Sequence, residues 1–334
     1  MIGTERSGTN LMRLILNCHS KIAVPHPPHI MKNFSRLEAL YGNLKNDDNF
    51  RKLIRDVVRM VELHPYPWGI KIDEARVFAY AKDRNLLSVF FSIYDRYLEH
   101  VKKERWGCKS TFVIHHIASI LRYYPDAKFI YMVRDGRDVA NSAKKSIFNR
   151  YHVYYAAHLW KQEQQVGFYW LHKLSSYNIF LIKYEELLDN PEGCVKSLCS
   201  FLDESFEETM LTYFHSEEAQ KCSSISTSWR NTSLPIIRNN SGKYKKESNK
   251  EEIALFEAIA APELDYFSYP LMIPLEISEQ RRNQGIKKCL IYWIKERHLM
   301  IKAQVKHLFS DKNNFKRYKK FWYLKWLKII RKVV

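Results

Sequence analysis

The sequence predicts an α/β fold in which a central parallel sheet is flanked by helices on both faces. Residues 127–133 (AKFIYMV) are β-branched and aromatic, as in a buried strand. Residues 178–192 begin with a similar run and give way to a helix, with Asn190 as its cap and Pro191 in its first turn. Strands that alternate with helices in this way form parallel sheets covered on both faces. Helical spacing of apolar residues is found at 34–62, 86–104, 113–124, 154–175 and 249–261.

The chain divides by charge into a body and a tail. Residues 281–334 hold 17 Lys and Arg against two acidic residues, whereas the rest carries a net charge of only +3 out of the total of +18. With 334 residues, 46% of them hydrophobic, the chain can bury one large core. We therefore predict a domain over 1–275 and a basic, aromatic-rich helical tail over 276–334.

Composition also bears on the compartment. No run reaches the roughly 18 apolar residues of a membrane span. The first residues are polar and lack the order of a signal peptide, and the cysteines form no CxxC pair. We therefore expect free thiols and a cytoplasmic protein.

The loop at residues 3–10 (GTERSGTN) is of a type that binds anions. Gly3, Ser7 and Gly8 permit tight turns, so successive backbone N–H groups can point into one concavity at the start of a helix that begins near Asn10. Arg6 adds a fixed charge, and hydroxyl and amide side chains add hydrogen bonds. The nucleotide triphosphatase version, GxxxxGK[ST], is absent because no lysine follows Gly8. The alternative is an ordinary turn that caps a helix.

A second basic motif follows the strand at 127–133. Arg134 stands where that strand ends, and Ser142 lies about two turns into the next helix. A guanidinium group and a hydroxyl suit a second phosphate. The alternative is a surface cluster in which Asp135, Arg137 and Asp138 pair among themselves. Two anion sites on adjacent strands indicate a ligand with two phosphate groups.

Four motifs in order make a family resemblance specific. GTERSGTNLMRLILNCH, RWGCKS, YYPDAKFIYMVRDGRDVANS and IKYEELLDNPE together resemble the sulfotransferases that use 3′-phosphoadenosine-5′-phosphosulfate (PAPS), in the bacterial branch similar to tyrosylprotein sulfotransferases. The resemblance covers roughly residues 1–270. It implies a P-loop-like three-layer fold and a PAPS-dependent enzyme without a metal cofactor.

The resemblance also implies roles for single residues in binding the donor. The first loop would grip the 5′-phosphosulfate, Arg134 and Ser142 would hold the 3′-phosphate, and Tyr184 would lie beside the nucleotide, unless it is a core aromatic at a strand end. The residues of the first loop that match the motif are Arg6, Ser7, Gly8, Thr9 and Asn10.

Two further roles concern the reacting groups. Lys109 in RWGCKS would neutralise charge on the transferring sulfuryl group together with Arg6, although Cys108 and Ser110 depart from the family pattern. His26 matches the position of the general base, with His29 as the alternative. The neighbouring prolines stiffen this segment, and imidazole suits a base at neutral pH. A third metal ligand is not evident near this pair, so we expect no metal site.

The loop-rich segment 216–247 resembles a loop that closes over the nucleotide. Trp229 or Tyr244 would cover the adenine, and Arg230, Lys243 or Lys245 would reach phosphate. The alternative is a basic surface loop.

The first strand of the sheet is expected to be short. Only Met1 and Ile2 precede the first loop, so either the strand is stunted or the chain as given starts late.

The tail combines basic and aromatic residues on predicted helices. Residues 286–334 interleave Lys and Arg with Trp and Tyr, and Leu327, Ile329, Ile330, Val333 and Val334 add apolar surface. This pattern favours an anionic membrane surface over nucleic acid, because phosphate binding does not need apolar insertion. A helix packed on the protein's own body is the third option.

Together these observations predict an enzyme that transfers a sulfuryl group from PAPS to a hydroxyl acceptor. The acceptor is expected to be a saccharide, a lipid-linked glycan or a small molecule, at or near the inner membrane surface. The alternatives are a P-loop kinase that uses ATP and a non-enzymatic basic protein that binds membranes or nucleic acid.

Overall fold

A computed structural model describes residues 1–146, 150–225, 227–274, 286–310 and 314–332. The chain forms two compact units, one from Met1–Met12 and Asp126–Asp311 and the other from Arg13–Pro125 and Lys312–Val334. The predicted boundary at 275 was placed where the charge of the sequence changes. The two compact units have other bounds, because they follow packing. Parts of the predicted tail, among them Val333 and Val334, lie outside the described residues.

The described residues contain short strands and longer helices. The strands are β1 (Ile2–Gly3), β2 (Ile22–Ala23), β3 (Arg105–Trp106), β4 (Phe129–Val133) and β5 (Ile179–Lys183). The helices are α1 (Thr9–Asn17), α2 (Ile30–Phe34), α3 (Asp47–Glu62), α4 (Glu74–Tyr80), α5 (Leu86–Val101), α6 (Ile117–Tyr123), α7 (Gly136–Ala143), α8 (Val153–Lys173), α9 (Tyr184–Asp189), α10 (Pro191–Phe201), α11 (Glu217–Ile225), α12 (Tyr244–Glu247), α13 (Lys250–Tyr266), α14 (Ile286–Ser310) and α15 (Asn314–Ile330).

The first unit contains a parallel sheet in the order β1-β4-β5. All five residues of β4 are buried, which explains why its sequence is continuously apolar rather than alternating. Strand β5 pairs with it from Phe129 opposite Ile179 onward. The predicted α/β class with a parallel sheet and flanking helices is confirmed.

Strand β1 has only two residues, and it lies at the edge of the described sheet. Ile2 pairs with Tyr131 of β4 and is fully buried. A buried polar chain supports this short strand: the Tyr131 hydroxyl donates to Gln164 of α8 (2.6 Å), and the Gln164 amide donates to the Thr4 hydroxyl (2.8 Å). Tertiary hydrogen bonds therefore hold a strand that is too short to be fixed by pairing alone.

The segment that follows β5 has the predicted strand-to-helix order. The Asn190 side chain accepts a hydrogen bond from Gly193 N (3.0 Å), and Pro191 occupies the first turn of α10. An additional short helix, α9, intervenes between the strand and this cap.

Three long helices match their predicted segments, and two segments are interrupted. Helices α5, α8 and α13 confirm the predictions for 86–104, 154–175 and 249–261. The segment 34–62 is broken because the Asn46 side chain caps a new helix by accepting from Asp48 N and Asn49 N. Part of 113–124 forms a 3-10 turn before α6 begins.

The second unit contains a two-stranded parallel sheet, β2-β3, that the sequence did not predict. Each strand is two residues long, too short for a periodic signal. The Lys103 ammonium group donates to the carbonyl oxygens of Asn17, His19 and Ile22 at 2.7–2.9 Å. One lysine therefore ties together the end of α1 and the start of β2.

Both tail helices make specific contacts within their own units. In the first unit, the Glu296 carboxylate on α14 accepts from Tyr151 N (2.9 Å) and His152 N (2.6 Å) at the start of α8. In the second, Asp56 of α3 accepts two hydrogen bonds from the Arg331 guanidinium (3.0 and 2.8 Å), and Leu327 is fully buried. The inner faces thus follow the third option, packing on the protein's own body.

The Asp56 carboxylate also accepts from the Tyr41 hydroxyl (2.7 Å), and the Tyr323 hydroxyl donates to it at 3.3 Å. Burial and the Asp56 charge raise the pKa of both tyrosines. Asp56 is therefore the shared hydrogen-bond acceptor of Arg331, Tyr41 and Tyr323.

Asp56→Ala is expected to lower the free energy of unfolding by about 2–4 kcal/mol, because it leaves Arg331, Tyr41 and Tyr323 without this acceptor. Urea unfolding followed by circular dichroism measures the change. Glu62→Ala is the matched control on α3, because it removes only an exposed ion pair with Arg59, and a change below about 0.5 kcal/mol is expected. Equal losses in the two variants would contradict the role of Asp56.

Candidate functional site

In the first unit, the loop between β1 and α1 folds as a tight turn. Ser7 N donates to Thr4 O (3.2 Å), and Met12 N donates to Gly8 O (3.1 Å) at the start of α1. Arg6 has φ 78°, in the left-handed region that costs a non-glycine residue free energy. Such strain is typical of residues that are held for function, and this loop presents the positive end of a helix.

Gly8 is required where it stands. Its φ of 84° is left-handed, and a Cβ there would collide with the ring of Tyr184. Tyr184 is itself buried, and its hydroxyl accepts from the Asn240 amide (2.6 Å). The Tyr184 ring therefore packs directly against the loop. Tyr184 is thus both a core aromatic and a neighbour of the candidate anion site.

The two predicted phosphate motifs meet in the structure. The Arg6 Nε donates to the Ser142 hydroxyl on α7 (3.0 Å), and Arg134 Nη1 donates to the Arg6 carbonyl oxygen (3.3 Å). The sequence grouped Arg6 with one phosphate and Arg134 and Ser142 with the other. In this structure Arg6 bridges the two groups.

Two guanidinium groups thus lie close together. Burial, and then the charge of Arg134, lower the pKa of Arg6. Arg134 is partly compensated by Asp138 (3.3 Å), and its guanidinium carbon lies 4.5 Å from the centre of the Tyr184 ring. Bringing two cations together costs free energy, which a bound anion would offset.

Two buried donors in this cluster are unused. Across the described parts of the chain, neither the Ser7 hydroxyl nor the Arg134 Nε has a hydrogen-bond partner. Buried polar atoms are nearly always paired, and exceptions call for a ligand or another specific cause. The loop, the two guanidinium groups and the unused donors together fit a phosphate or phosphosulfate group.

Asp138 and Asn240 organise this site in a way that the sequence analysis did not predict. The Asp138 carboxylate accepts from Gly242 N (2.6 Å) and Tyr244 N (2.9 Å), and Arg134 Nη2 donates to the Asn240 carbonyl oxygen (2.8 Å). These bonds fasten the late loop to α7. The motif letters RDGRD and NNSG were visible in the sequence, but their pairing spans roughly a hundred positions and has no local signal.

The alternative interpretation of the second motif is half right. Arg137 pairs with Asp135 (2.8 Å) and with Glu257, so this arginine belongs to a buried ion-pair network. Lys144 pairs with Glu252 (2.5 Å) and Lys145 with Glu247 (2.6 Å). Both lysines are therefore compensated by carboxylates and add little to the positive charge of the site.

The late loop differs in part from its prediction. Tyr244 is buried, with the Arg137 guanidinium 4.4 Å from its ring centre, so it offers no face to an adenine. Trp229 is half-buried in a 3-10 turn, and Lys243 is half-buried immediately before α12. Arg230 and Lys245 are exposed, so among the predicted loop ligands only Tyr244 has a buried side chain.

In the second unit, His26 lies among aromatic rings. It is 6% exposed, stacks on Tyr66 with ring centres 4.4 Å apart, and has His64 at 5.1 Å. The Trp68 indole donates to the His26 carbonyl oxygen (2.8 Å). These contacts are those of a histidine in a core.

His29 has different surroundings. It is half-buried, and its Nδ1 lies 3.1 Å from the Ser110 hydroxyl, next to Lys109 in sequence. Its backbone is left-handed (φ 60°) where α2 begins, which again indicates strain at a specific position. Of the two histidines, His29 is the one joined to the loop that carries Lys109.

Both imidazoles are biased toward the neutral form. Burial lowers the pKa of His29 well below its usual value, and the charges of Lys109 and Lys320 lower it further. Burial and His64 do the same to His26. In the described residues no cluster of three or more His, Cys, Asp or Glu side chains is arranged to hold a metal ion.

A family model described as the sulfotransferase family matches residues 1–208, more than half of the sequence. The chain belongs to the sulfotransferase family. The matched segment contains the first loop, the Lys109 loop, the Arg134 motif and the strand-to-helix turn at Tyr184. The resemblance predicted from those motifs is confirmed.

Relatives of this chain include a protein-tyrosine sulfotransferase. It is 23% identical over 231 residues to protein-tyrosine sulfotransferase 1 of Danio rerio, covering 68% of this chain and 58% of the relative. It is 26% identical over 238 residues to an uncharacterized protein of Aquifex aeolicus, covering 67% of this chain and 28% of that protein. The chain thus spans little more than half of the zebrafish relative and less than a third of the bacterial one.

Solved structures share the fold of this sulfotransferase. The sulfotransferase domain of the Synechococcus PCC 7002 olefin synthase superposes with a TM-score of 0.55 at 16% identity, covering 82% of this chain and 94% of that domain. The sulfotransferase domain from the curacin biosynthetic pathway gives 0.51 at 19%, covering 81% and 96%. The predicted P-loop-like α/β class is confirmed.

Proposed function

We propose that this protein transfers a sulfuryl group from PAPS to a hydroxyl acceptor. The observation that carries the proposal is the buried cluster of Arg6 and Arg134 with the unused Ser7 hydroxyl and Arg134 Nε, found in a chain of the sulfotransferase family. A nucleotide with phosphate at both the 5′ and 3′ positions satisfies both guanidinium groups.

The residues of the first unit would hold the donor. The backbone of Ser7, Gly8 and Thr9 at the start of α1 would cradle the phosphosulfate, with Asn10 and Arg6 alongside. Arg134 and Ser142 would bind the 3′-phosphate, and Lys243 would approach from the late loop. The Tyr184 ring supports the loop from below, because it packs against Gly8.

The residues of the second unit would serve the acceptor. PAPS, when bound, supplies the sulfuryl group and leaves as adenosine 3′,5′-bisphosphate. Lys109 would stabilise negative charge as it develops. His29 would take the acceptor's proton on Nε2 while Ser110 holds Nδ1, a role for which its exposure and neighbours suit it better than the stacked His26.

Donor binding separates this function from that of a kinase. Adenosine 3′,5′-bisphosphate at about 100 times its Kd is expected to raise the unfolding free energy by about 2.7 kcal/mol. ATP with Mg²⁺ is expected to do much less, because Thr9 rather than lysine follows Gly8. Differential scanning fluorimetry measures both.

Arg134→Ala is expected to abolish most of that shift, and Lys145→Ala, which removes a neighbouring exposed pair with Glu247, is the matched control. A larger stabilisation by ATP than by the bisphosphate would favour the kinase.

The base is tested by its pH dependence. A base must be neutral. Because burial lowers the pKa of His29 well below its usual value, activity is expected to persist through the ordinary imidazole range near about 6.5 and to be lost only at more acidic pH. His29→Gln is expected to reduce kcat by about 100-fold or more with little change in donor affinity. Rates of sulfate transfer from labelled PAPS between pH 5 and 8 measure this.

His26→Gln is the matched comparison, since it changes the neighbouring imidazole of the same proline-rich segment. We expect it to lower stability and to preserve the acid limb. The reverse pattern, with His26→Gln losing kcat and His29→Gln active, would assign the base to His26.

We further propose a location at the cytoplasmic face of the inner membrane, through the outer faces of the tail helices. On α15, one stripe of exposed side chains repeats at three- and four-residue intervals, opposite the docked face. Its members are Phe315, Tyr318, Trp322, Trp326 and Ile329. Lys319 and Lys325 flank it, as suits an anionic lipid surface. No helix in the described ranges is long and apolar enough to cross a membrane.

A peripheral location favours a lipid-linked or membrane-associated saccharide as acceptor. The apolar stripe argues against nucleic acid, because phosphate contacts do not need exposed tryptophans. The proposed class of acceptor follows from this location.

The double variant Trp322→Ala, Trp326→Ala is expected to weaken binding to vesicles containing phosphatidylglycerol by at least about tenfold, because it removes most of the apolar area of the stripe. Vesicle sedimentation measures the bound fraction. Tyr80→Ala removes an exposed aromatic elsewhere in the second unit and serves as control. Unchanged binding by the double variant would overturn the membrane proposal.

A further inference from the structure

Helix α15 brings a lysine to the segment that carries His29. The Lys320 ammonium group donates to the Pro28 carbonyl oxygen at 2.8 Å, one residue before His29. His29 in turn contacts Ser110, next to Lys109. Three parts of the second unit that are distant in sequence therefore converge: the proline-rich segment, the Lys109 loop and the C-terminal helix.

The side chains around Lys320 provide positive charge. The groups whose charges act on Lys320, His29 and His64 are Lys32, Lys109, Arg317 and Lys320 itself. Burial, and then the charge of Lys32, lower the pKa of Lys320 to about 7. Within the described ranges Lys320 makes no ion pair with a carboxylate, and its hydrogen bond to Pro28 uses one of its three N–H donors.

Lys320 is half-buried, and the charge that acts on it is that of another lysine, Lys32. Ammonium groups are rarely buried unless they are paired, because leaving water costs several kcal/mol per ion. Elsewhere in the same unit the rule is obeyed: Arg331 on α15 pairs with Asp56. Lys320 is placed among other cations instead, which is the electrostatic setting of an anion site.

The attachment of α15 to its unit does not require the positive charge of Lys320. The helix is already held by the Arg331–Asp56 pair, by Tyr323 and by the fully buried Leu327. An apolar side chain at position 320 would pack in the same place without the cost of burying a charge. The charge therefore indicates a ligand rather than a structural contact.

We propose that Lys320, with Lys32 and Lys109 around His29, binds an anionic group of the acceptor, a phosphate or a carboxylate. This inference rests on the proposed function, in which the ligand of this unit is the acceptor. It adds that the hydroxyl to be modified belongs to a molecule that already carries negative charge. A lipid phosphate and an acidic sugar offer the same chemistry to an ammonium group, and they are separated by the experiment.

Two pairs of probes, each with an anionic and a neutral member, test the site. Octyl glucuronide has a carboxylate where octyl glucoside has a hydroxymethyl group. Dioctanoyl phosphatidylglycerol differs from dioctanoyl glycerol by its phosphoglycerol headgroup, which carries the lipid phosphate. All four carry free hydroxyl groups. Binding to the full chain without donor is measured by isothermal titration calorimetry, and turnover with PAPS then gives KM and kcat separately.

The parent protein is expected to bind the anionic member of at least one pair about 10- to 100-fold more tightly, the value of a charge-assisted hydrogen bond. Lys320→Met, which keeps the aliphatic length, is expected to reduce that preference to about threefold or less. Lys328→Met, at an exposed position of the same helix, should leave it unchanged. Lys320→Arg, which keeps the charge, should retain most of it.

The pair that shows the preference identifies the source of the anion, sugar or lipid. Equal affinity for both members of both pairs would overturn the site, as would a preference that survives in Lys320→Met. Preference without turnover by any probe would support the site and count against the proposed transfer reaction. Turnover without preference would do the opposite, so the two proposals fail separately.

Discussion

The first unit is organised around two guanidinium groups held close to each other. Arg134 donates to the backbone of Arg6, and Arg6 donates to Ser142, so neither side chain can turn away without losing a hydrogen bond. Burial, and then repulsion from Arg134, lower the pKa of Arg6, and the strained backbone of Arg6 adds to the cost. Such a cost is stable only where the surroundings compensate it, and an anion does so directly.

The rest of that unit serves this arrangement. Tyr184 supports Gly8 from below, Asp138 fixes the late loop through two backbone amides, and Asn240 connects that loop to both Arg134 and Tyr184. The second unit uses another principle: burial, and then neighbouring positive charges, lower the pKa of His26 and His29 and favour their neutral forms. In the proposed transfer the cations would bind the donor and a neutral imidazole would accept the proton.

What the sequence predicted depends on the range of the interaction. Strand 127–133 and the cap at Asn190 were predicted because burial on both faces and helix capping leave local patterns. The meeting of Arg6 with Ser142, the anchoring by Asn240 and the contact of Lys320 with Pro28 were not predicted, since each joins positions more than a hundred residues apart. For the tail the sequence left three options open, and one face of α15 follows the third, because Arg331 pairs with Asp56.

The most direct test of the account is a crystal structure with adenosine 3′,5′-bisphosphate. The account predicts phosphate oxygens within hydrogen-bond distance of Arg134 Nε and of the Ser7 hydroxyl, with Arg6 between the two phosphates. A nucleotide bound elsewhere, with those two donors still lacking a partner, would contradict it.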